Sequence, residues 1–224
     1  MLELIQPISK RDQVVRAMKD AILSGAIQPG ASLVESKIAQ QLGAGVPLIR
    51  EALIELEHQG FVQRTPYKGT TVTTLSPVDV RNIFALRVEL EALAIEWARA
   101  NITDADVQYL REVIHKMEDA AQVLDLPRFY ESDLAFHRKI WSLSGNPYLA
   151  HTLERLVVPL FAFFLMKTSR HQDSYIESAC THSKIVEAIP TATPAELRDI
   201  FKASLVSWKD DMVQLLFSRE YGPS

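Results

Sequence analysis

A chain of 224 residues that is 47% apolar and 23% charged is long enough for one large domain or two modest ones, and its composition excludes an intrinsically disordered polypeptide. A single cysteine, Cys180, excludes a disulfide framework, fits a reducing compartment and reads as a buried structural thiol. The net charge of −4 argues against a generally polyanion-binding surface, but it is unevenly spread: residues 1–75 hold 8 Lys+Arg against 7 Asp+Glu, and residues 76–224 hold 16 against 21.

The amino terminus, MLELIQPISKRDQ, lacks the charged-then-apolar pattern of a secretion signal. Ser9 is placed to cap a helix running through Val14, Met18, Ala21 and Ile22 and stopping near Gly25. Between Glu35 and His58, Ile38, Ala39 and Leu42 share one helical face and Ile49, Leu53 and Leu56 share another, with Gly43-Ala44-Gly45 between them. Two short helices that cross steeply need a small residue at the crossing, a turn residue tolerant of positive φ, and a branched apolar residue to fill the gap. Ala39, Gly43 and Ile49 meet those needs, and Pro47 suits a helical first turn. The spacing fits a helix-turn-helix, and it fits a plain helical hairpin as well. Two runs rich in Val, Thr and Phe follow, joined by a loop containing Pro66 and Gly69, so the segment reads as a winged helix. Its second helix would enter the DNA major groove, with Arg64 and Lys68 of the wing reaching phosphates or the minor groove.

The domain boundary falls near Leu75-Ser76-Pro77, giving a winged domain over residues 1–75 and a helical domain over 76–224. Ser76 and Thr103 are N-caps for two helices, the first striped by Val80, Ile83, Phe84, Leu90, Ala94 and Trp97 and the second by Leu110, Ile114 and Met117. Further helices are expected from about 127 to 143, 148 to 167 and 174 to 188. A capping box, Thr193-Pro194-Ala195-Glu196, opens a last one reaching about Phe217. The longest apolar run, Val157 to Met166, is too short to span a bilayer and reads as a buried helix. The expected fold is therefore mostly α: a winged helix-turn-helix with a small β-hairpin wing, then an all-α antiparallel bundle of six helices.

Ile27-Gln28-Pro29-Gly30, Leu33 through Gly43, Ile49-Arg50-Glu51-Ala52-Leu53, Leu56-Glu57, Gly60-Phe61-Val62, and Gly69 with Val72 resemble the amino-terminal domain of GntR-family transcriptional regulators. The resemblance covers nearly all of residues 8 to 75. It implies a cytoplasmic, homodimeric regulator, a repressor rather than an activator, bound to a palindromic double-stranded operator. Lys37, Arg50, Arg64 and Lys68 would carry the phosphate contacts. Where the family has a Ser-Arg-Thr-Pro-like run entering the recognition helix, this chain has Gly45-Val46-Pro47-Leu48. Val46 offers no hydrogen bond, so a shifted operator preference or weaker binding is expected.

In the helical domain, Asp133 and His137 stand four apart and project from one helix face, offering a carboxylate oxygen and an imidazole nitrogen to a transition metal. The same spacing also makes an ordinary surface hydrogen bond. The segments Asp133 to Ile140, Ser144 to Leu149 and His182 to Ile189, with Arg87-Val88-Glu89-Leu90-Glu91, resemble the FCD ligand-binding domain of the FadR subfamily. Metal-binding members hold an ion with one Asp and three His, and a small carboxylate effector completes the shell. Carried over, the ligands are Asp133, His137 and His182 for Zn, Ni or Mn, and Ser204 stands where the third His is expected, which weakens the site. Arg87 reads either as a carboxylate clamp for the effector or as a salt bridge to Glu91 or Asp133, and Arg138 as a bundle salt bridge. The rival reading is a metal-dependent enzyme built on Asp133, His137 and His182. It lacks a further carboxylate or His at a spacing suited to a general base.

Overall fold

The computed structural model describes residues 9–67, 69–168 and 171–217. By its internal contacts the chain divides into two compact units, Met1–Thr74 and Leu75–Ser224.

In the first unit, α1 (Lys10–Leu23) starts at Ser9, whose hydroxyl accepts the amide of Asp12. Then come β1 (Ser32–Leu33), α2 (Glu35–Leu42), α3 (Val46–His58), β2 (Val62–Thr65) and β3 (Gly69–Val72). α2 ends because Gly43 takes a left-handed φ of 60°, which turns the chain towards α3 at no steric cost. α3 packs on α1 and α2, and Ile49, Ala52, Leu53 and Leu56 are fully buried between them. The strands form an antiparallel sheet in the order β1-β3-β2, with Val62 opposite Val72 and Thr65 opposite Gly69. Two sequence expectations need correction here. β1, a two-residue strand paired to β3 through Ser32 and Leu33, is too short to leave a pattern. Leu42 is 42% exposed: α2 has only two turns, and its burial rests on Ile38 and Ala39.

The second unit comprises α4 (Pro77–Ala98), α5 (Asp104–Val123), α6 (Leu126–Leu143), α7 (Pro147–Thr168), α8 (Gln172–Ala188) and α9 (Pro194–Phe217). Capping boxes open α4 and α5, where Ser76 pairs reciprocally with Asp79 and Thr103 with Asp106. α4 packs against α9, α6 and α7, and α5 against α6 and α8. Val80, Phe84 and Ala94 of the predicted stripe are buried on α4, Ile83 and Leu90 are half-buried, and Trp97 is 40% exposed; the buried face also holds Arg87, Glu91, Ile95 and Ala98. The two charged residues sit in core positions, so a search for apolar periodicity passes over them. Cys180 is also exposed rather than buried, because the inward face of α8 is Tyr175, Ser178, Ala179, His182 and Ile185. α7 runs 22 residues through Pro159 and is long and apolar enough, by length and composition, to cross a bilayer, which the ten-residue run did not indicate. Leu153, Val157, Leu160 and Phe163 on it are buried within the bundle.

Candidate functional site

In the first unit, Lys37 and Arg64 are exposed on α2 and β2, and Val46 opens α3 at 36% exposure. Arg50 is exposed too, but its guanidinium is occupied: Nη2 donates to Glu35 Oε2 at 2.8 Å and Nε lies 3.2 Å from both carboxylate oxygens. This ties the start of α2 to α3, and the hydrogen bonds from Arg50 hold the Glu35 carboxyl below its usual range. A phosphate at Arg50 has to compete with that carboxylate. Lys68 lies outside the described residues. At the wing tip Tyr67 is fully exposed with φ of 65°, a residue the sequence reading passed over.

The second unit carries a cluster of polar side chains inside its core. α4 contributes Arg87 and Glu91, 2% and 0% exposed, four residues apart on the buried face. α6 contributes Asp133, His137 and Trp141 at the same spacing, and α8 contributes His182. Glu91 gathers three neighbours: Arg87 Nε donates to Oε2 at 2.7 Å, Trp141 Nε1 donates to Oε1 at 2.9 Å, and His137 Nδ1 stands 2.7 Å from Oε1, off the line of a good hydrogen bond. His182 Nδ1 lies 2.7 Å from the carbonyl oxygen of Ser178.

A carbonyl oxygen is an acceptor only, so His182 carries its proton on Nδ1 and leaves a lone pair on Nε2, while His137 Nδ1 stands beside the Glu91 carboxylate without a hydrogen bond to it. The two Nε2 atoms face each other at 3.1 Å, with Asp133 Oδ1 3.3 Å from His182 Nε2 and 3.7 Å from His137 Nε2. Three atoms of ligating type converge on one point. Among the described residues Asp133 Oδ1 has no hydrogen-bond partner, and Arg87 Nη2 lies 3.4 Å from His137 Nε2. Ligands about 2.1 Å from an ion stand roughly 3.0 Å apart when octahedral and roughly 3.4 Å apart when tetrahedral. The observed edges suit a group that could hold a metal ion, and the Ser178 carbonyl orients His182 as such a ligand requires.

Burial dominates the electrostatics. It pushes His182 down to about 4 and lowers His137, so both imidazoles are neutral at neutral pH. It pushes Asp133 up to about 6, against the pull of His137 and Arg87. Burial would raise Glu91 as well, but Arg87 and His137 outweigh it and hold the carboxyl at about 2.

The structure thus brings Asp133, His137, His182 and Arg87 together, and Ser204 lines the same cavity, with its hydroxyl donating to Phe201 O at 2.7 Å. Arg87 makes the salt bridge to Glu91 through Nε, and among the described residues its Nη1 has no hydrogen-bond partner. Arg138 forms a bundle salt bridge, but with Glu154 rather than Glu91 or Asp133, its Nε 3.0 Å from Oε2. Trp141 was missed, and Glu91 entered only as an ion partner for Arg87. The signal was present in their i, i+4 spacing from His137 and Arg87, which places all four on inward faces.

Comparison with known proteins gives a consistent picture. Residues 10–72 match the family described as bacterial regulatory proteins, gntR family, and residues 82–206 match the FCD domain. The HTH-type transcriptional regulator McbR of Escherichia coli K12 is 30% identical over 146 residues, 65% of this chain and 66% of McbR. The HTH-type transcriptional repressor RspR of the same organism is 27% identical over 151 residues, 67% of this chain and 65% of RspR. The matches therefore span just under two thirds of these relatives. A solved structure of E. coli McbR/YncC superposes with a TM-score of 0.70 at 24% identity, covering 93% of this chain and 99% of that one. The Listeria monocytogenes regulator Lar, described as controlling expression of the agr system, gives 0.60 at 17%, covering 94% and 100%. At these identities the structural likeness is one of fold.

Proposed function

Because the chain belongs to the gntR family of bacterial regulatory proteins and carries an FCD domain, we propose that it is a cytoplasmic, dimeric transcription factor of the FadR type whose operator binding responds to a small carboxylate effector. The family and its named relatives are transcriptional regulators, not enzymes, and nothing favours the metal-dependent enzyme. The observation that carries the effector reading is the convergence of His137 Nε2, His182 Nε2 and Asp133 Oδ1 beside the unpartnered Nη1 of Arg87.

The donor set fits a divalent transition metal such as Zn, Ni or Mn: two neutral imidazoles with facing Nε2 atoms and one carboxylate that lacks a hydrogen-bond partner among the described residues. A bound ion would supply a positive centre with open positions for oxygen ligands. Within the chain, the Ser178 carbonyl holds His182 in the ligating tautomer, Glu91 stands 2.7 Å from His137 Nδ1, and Arg87 offers the second cationic contact to a carboxylate. Ser204 in place of a third imidazole leaves one more position open. In the winged unit, Lys37, Arg50, Arg64 and Lys68 are assigned to DNA phosphates, each contributing about one unit to the salt slope of log affinity. The operator is a palindrome whose half-sites match the two winged units of the dimer, and repression is the expected mode.

Two measurements test this. Elemental analysis of the purified chain is expected to give about one transition metal per chain, lost in His137→Ala. Operator affinity, measured by fluorescence anisotropy with and without a saturating small acid, is expected to change. An acid that binds the bundle and leaves operator affinity untouched would overturn the regulatory reading, because binding linkage is reciprocal.

A further inference from the structure

The stretch from Leu42 to Leu48, LGAGVPL, closes α2, makes the turn and opens α3 without one side chain able to donate or accept a hydrogen bond. In a helix-turn-helix the first residues of the second helix are the ones that meet base edges in the major groove. The backbone at this point is committed as well. Gly45 supplies no side-chain cap, Pro47 has no N–H, and the amides of Leu48 and Ile49 both donate to Gly45 O, at 3.0 and 3.2 Å. The start of α3 is therefore poorly equipped to cradle a phosphate.

Its outward face is apolar instead. Val46, Arg50 and Ile54 follow one another at four-residue steps, and Val46 and Ile54 are 36% and 37% exposed. The cation among them, Arg50, has its guanidinium on Glu35. Val46 is β-branched, and a helix holds such a side chain close to one χ1 rotamer, so its two methyl groups stand in a set place at the helix head.

The edges of the bases decide what such a residue can distinguish. In the major groove guanine offers two acceptors, adenine an acceptor and a donor, and cytosine a donor, whereas thymine adds a methyl group to its acceptor. An apolar side chain pressed on guanine or adenine strips water from polar atoms and returns no hydrogen bond. On thymine it buries one methyl group against another.

We propose that Val46 reads the 5-methyl group of a thymine at one position in each operator half-site. This rests on the operator-binding reading above and names the base that the head of α3 selects.

The probe is the duplex that the full chain enriches from a randomised DNA library. Each of its thymines is replaced in turn by deoxyuridine, which keeps the base pairing and removes only the 5-methyl group, and affinity is read by fluorescence anisotropy at fixed salt. One methyl group is worth about fourfold, so at one thymine position the replacement is expected to cost about fourfold in one half-site and about fifteenfold in both. In Val46→Ala the same replacement is expected to change affinity by less than about twofold, while the other thymines behave as in the native chain. If no thymine responds, or if the response persists in Val46→Ala, the Val46 assignment is wrong and operator binding stands. If the library yields no enriched sequence, the operator-binding reading falls as well. The deoxyuridine series on the native chain can refute the assignment even if Val46→Ala does not fold.

Discussion

Replacing Glu91 by glutamine removes one charge and almost no volume from the centre of the bundle. In the native chain the carboxylate serves Arg87 at 2.7 Å, Trp141 at 2.9 Å and His137 at 2.7 Å, with no exposure to solvent. A carboxamide can present only one acceptor oxygen. Its NH2 group must then face a donor from Arg87, Trp141 or His137, and the Arg87 guanidinium is left buried and uncompensated. Breaking a buried ion pair from one side costs about 3–5 kcal/mol. For a unit of this size each kcal/mol moves Tm by about 2–4 °C, so the bundle transition is expected to fall by roughly 6–20 °C. Trp97, Trp141 and Trp208 all lie in the second unit, so tryptophan fluorescence during thermal unfolding reports it without the winged unit. The double variant Arg87→Met/Glu91→Leu is expected to recover most of the loss, since apolar replacement of a whole buried pair is often neutral. A Glu91→Gln shift within about 2 °C, or a double variant less stable than the single, would refute the claim that these charges depend on each other.

Three further outcomes follow from the same geometry. Ser204→His adds an imidazole from α9 to the cavity that holds the triad and is expected to tighten metal binding at least about tenfold in chelator competition; unchanged affinity would mean that position 204 does not face the ion. Glu35→Gln weakens the carboxylate's hold on Arg50 and is expected to raise operator affinity and steepen the salt slope by up to about one unit; an unchanged slope would remove Arg50 from the phosphate contacts. Asp106, which caps α5 and pairs with Lys139 at 2.6 Å, has its carboxyl held well below the usual range by those hydrogen bonds, Lys139 first. Its contribution is present above the unfolded value near pH 4 and is lost as pH falls towards the folded one. The Tm of the native chain should therefore drop more steeply below pH 4 than that of Asp106→Asn.

The elements with strong local chemistry were readable from the chain. Ser9, Ser76, Thr103 and Thr193 each accept the amide three residues on, and helix starts follow from such short-range bonds. What escaped the sequence depends on partners distant in the chain. The predicted face of α4 held Val80, Phe84 and Ala94 but passed over Arg87 and Glu91, because a polar residue in the core becomes tolerable only once Trp141 and His137, some fifty residues away, supply hydrogen bonds. The Asp133–His137 pair was visible as a spacing, but the match to His182 rested on resemblance, since three-dimensional distance between α6 and α8 leaves no trace in periodicity. Arg50 shows the converse. Its position on α3 and its charge were legible, but its pairing with Glu35, fifteen residues earlier, was not.

The polar cluster is also where a ligand can exert leverage on the fold. A ligand biases a conformation only through contacts that differ between states. Arg87 divides its guanidinium between Glu91 on its own helix and the cavity, so on the proposed reading a carboxylate drawn to Nη1 competes for the group that links α4 to His137. α4 is 22 residues long, about 33 Å at 1.5 Å per residue, and Arg87 lies roughly 15 Å along it from Pro77. A helix transmits displacement nearly rigidly over that length, and the Ser76–Asp79 capping box fixes its first turn. Leu75 and Ser76 are all that separate this helix from the last residue of the winged unit, Thr74. On the proposed reading, coupling between effector and operator requires no long relay of side chains. It requires that α4 have two positions differing by the energy of one buried arginine contact, which is of the order that a single charged ligand provides.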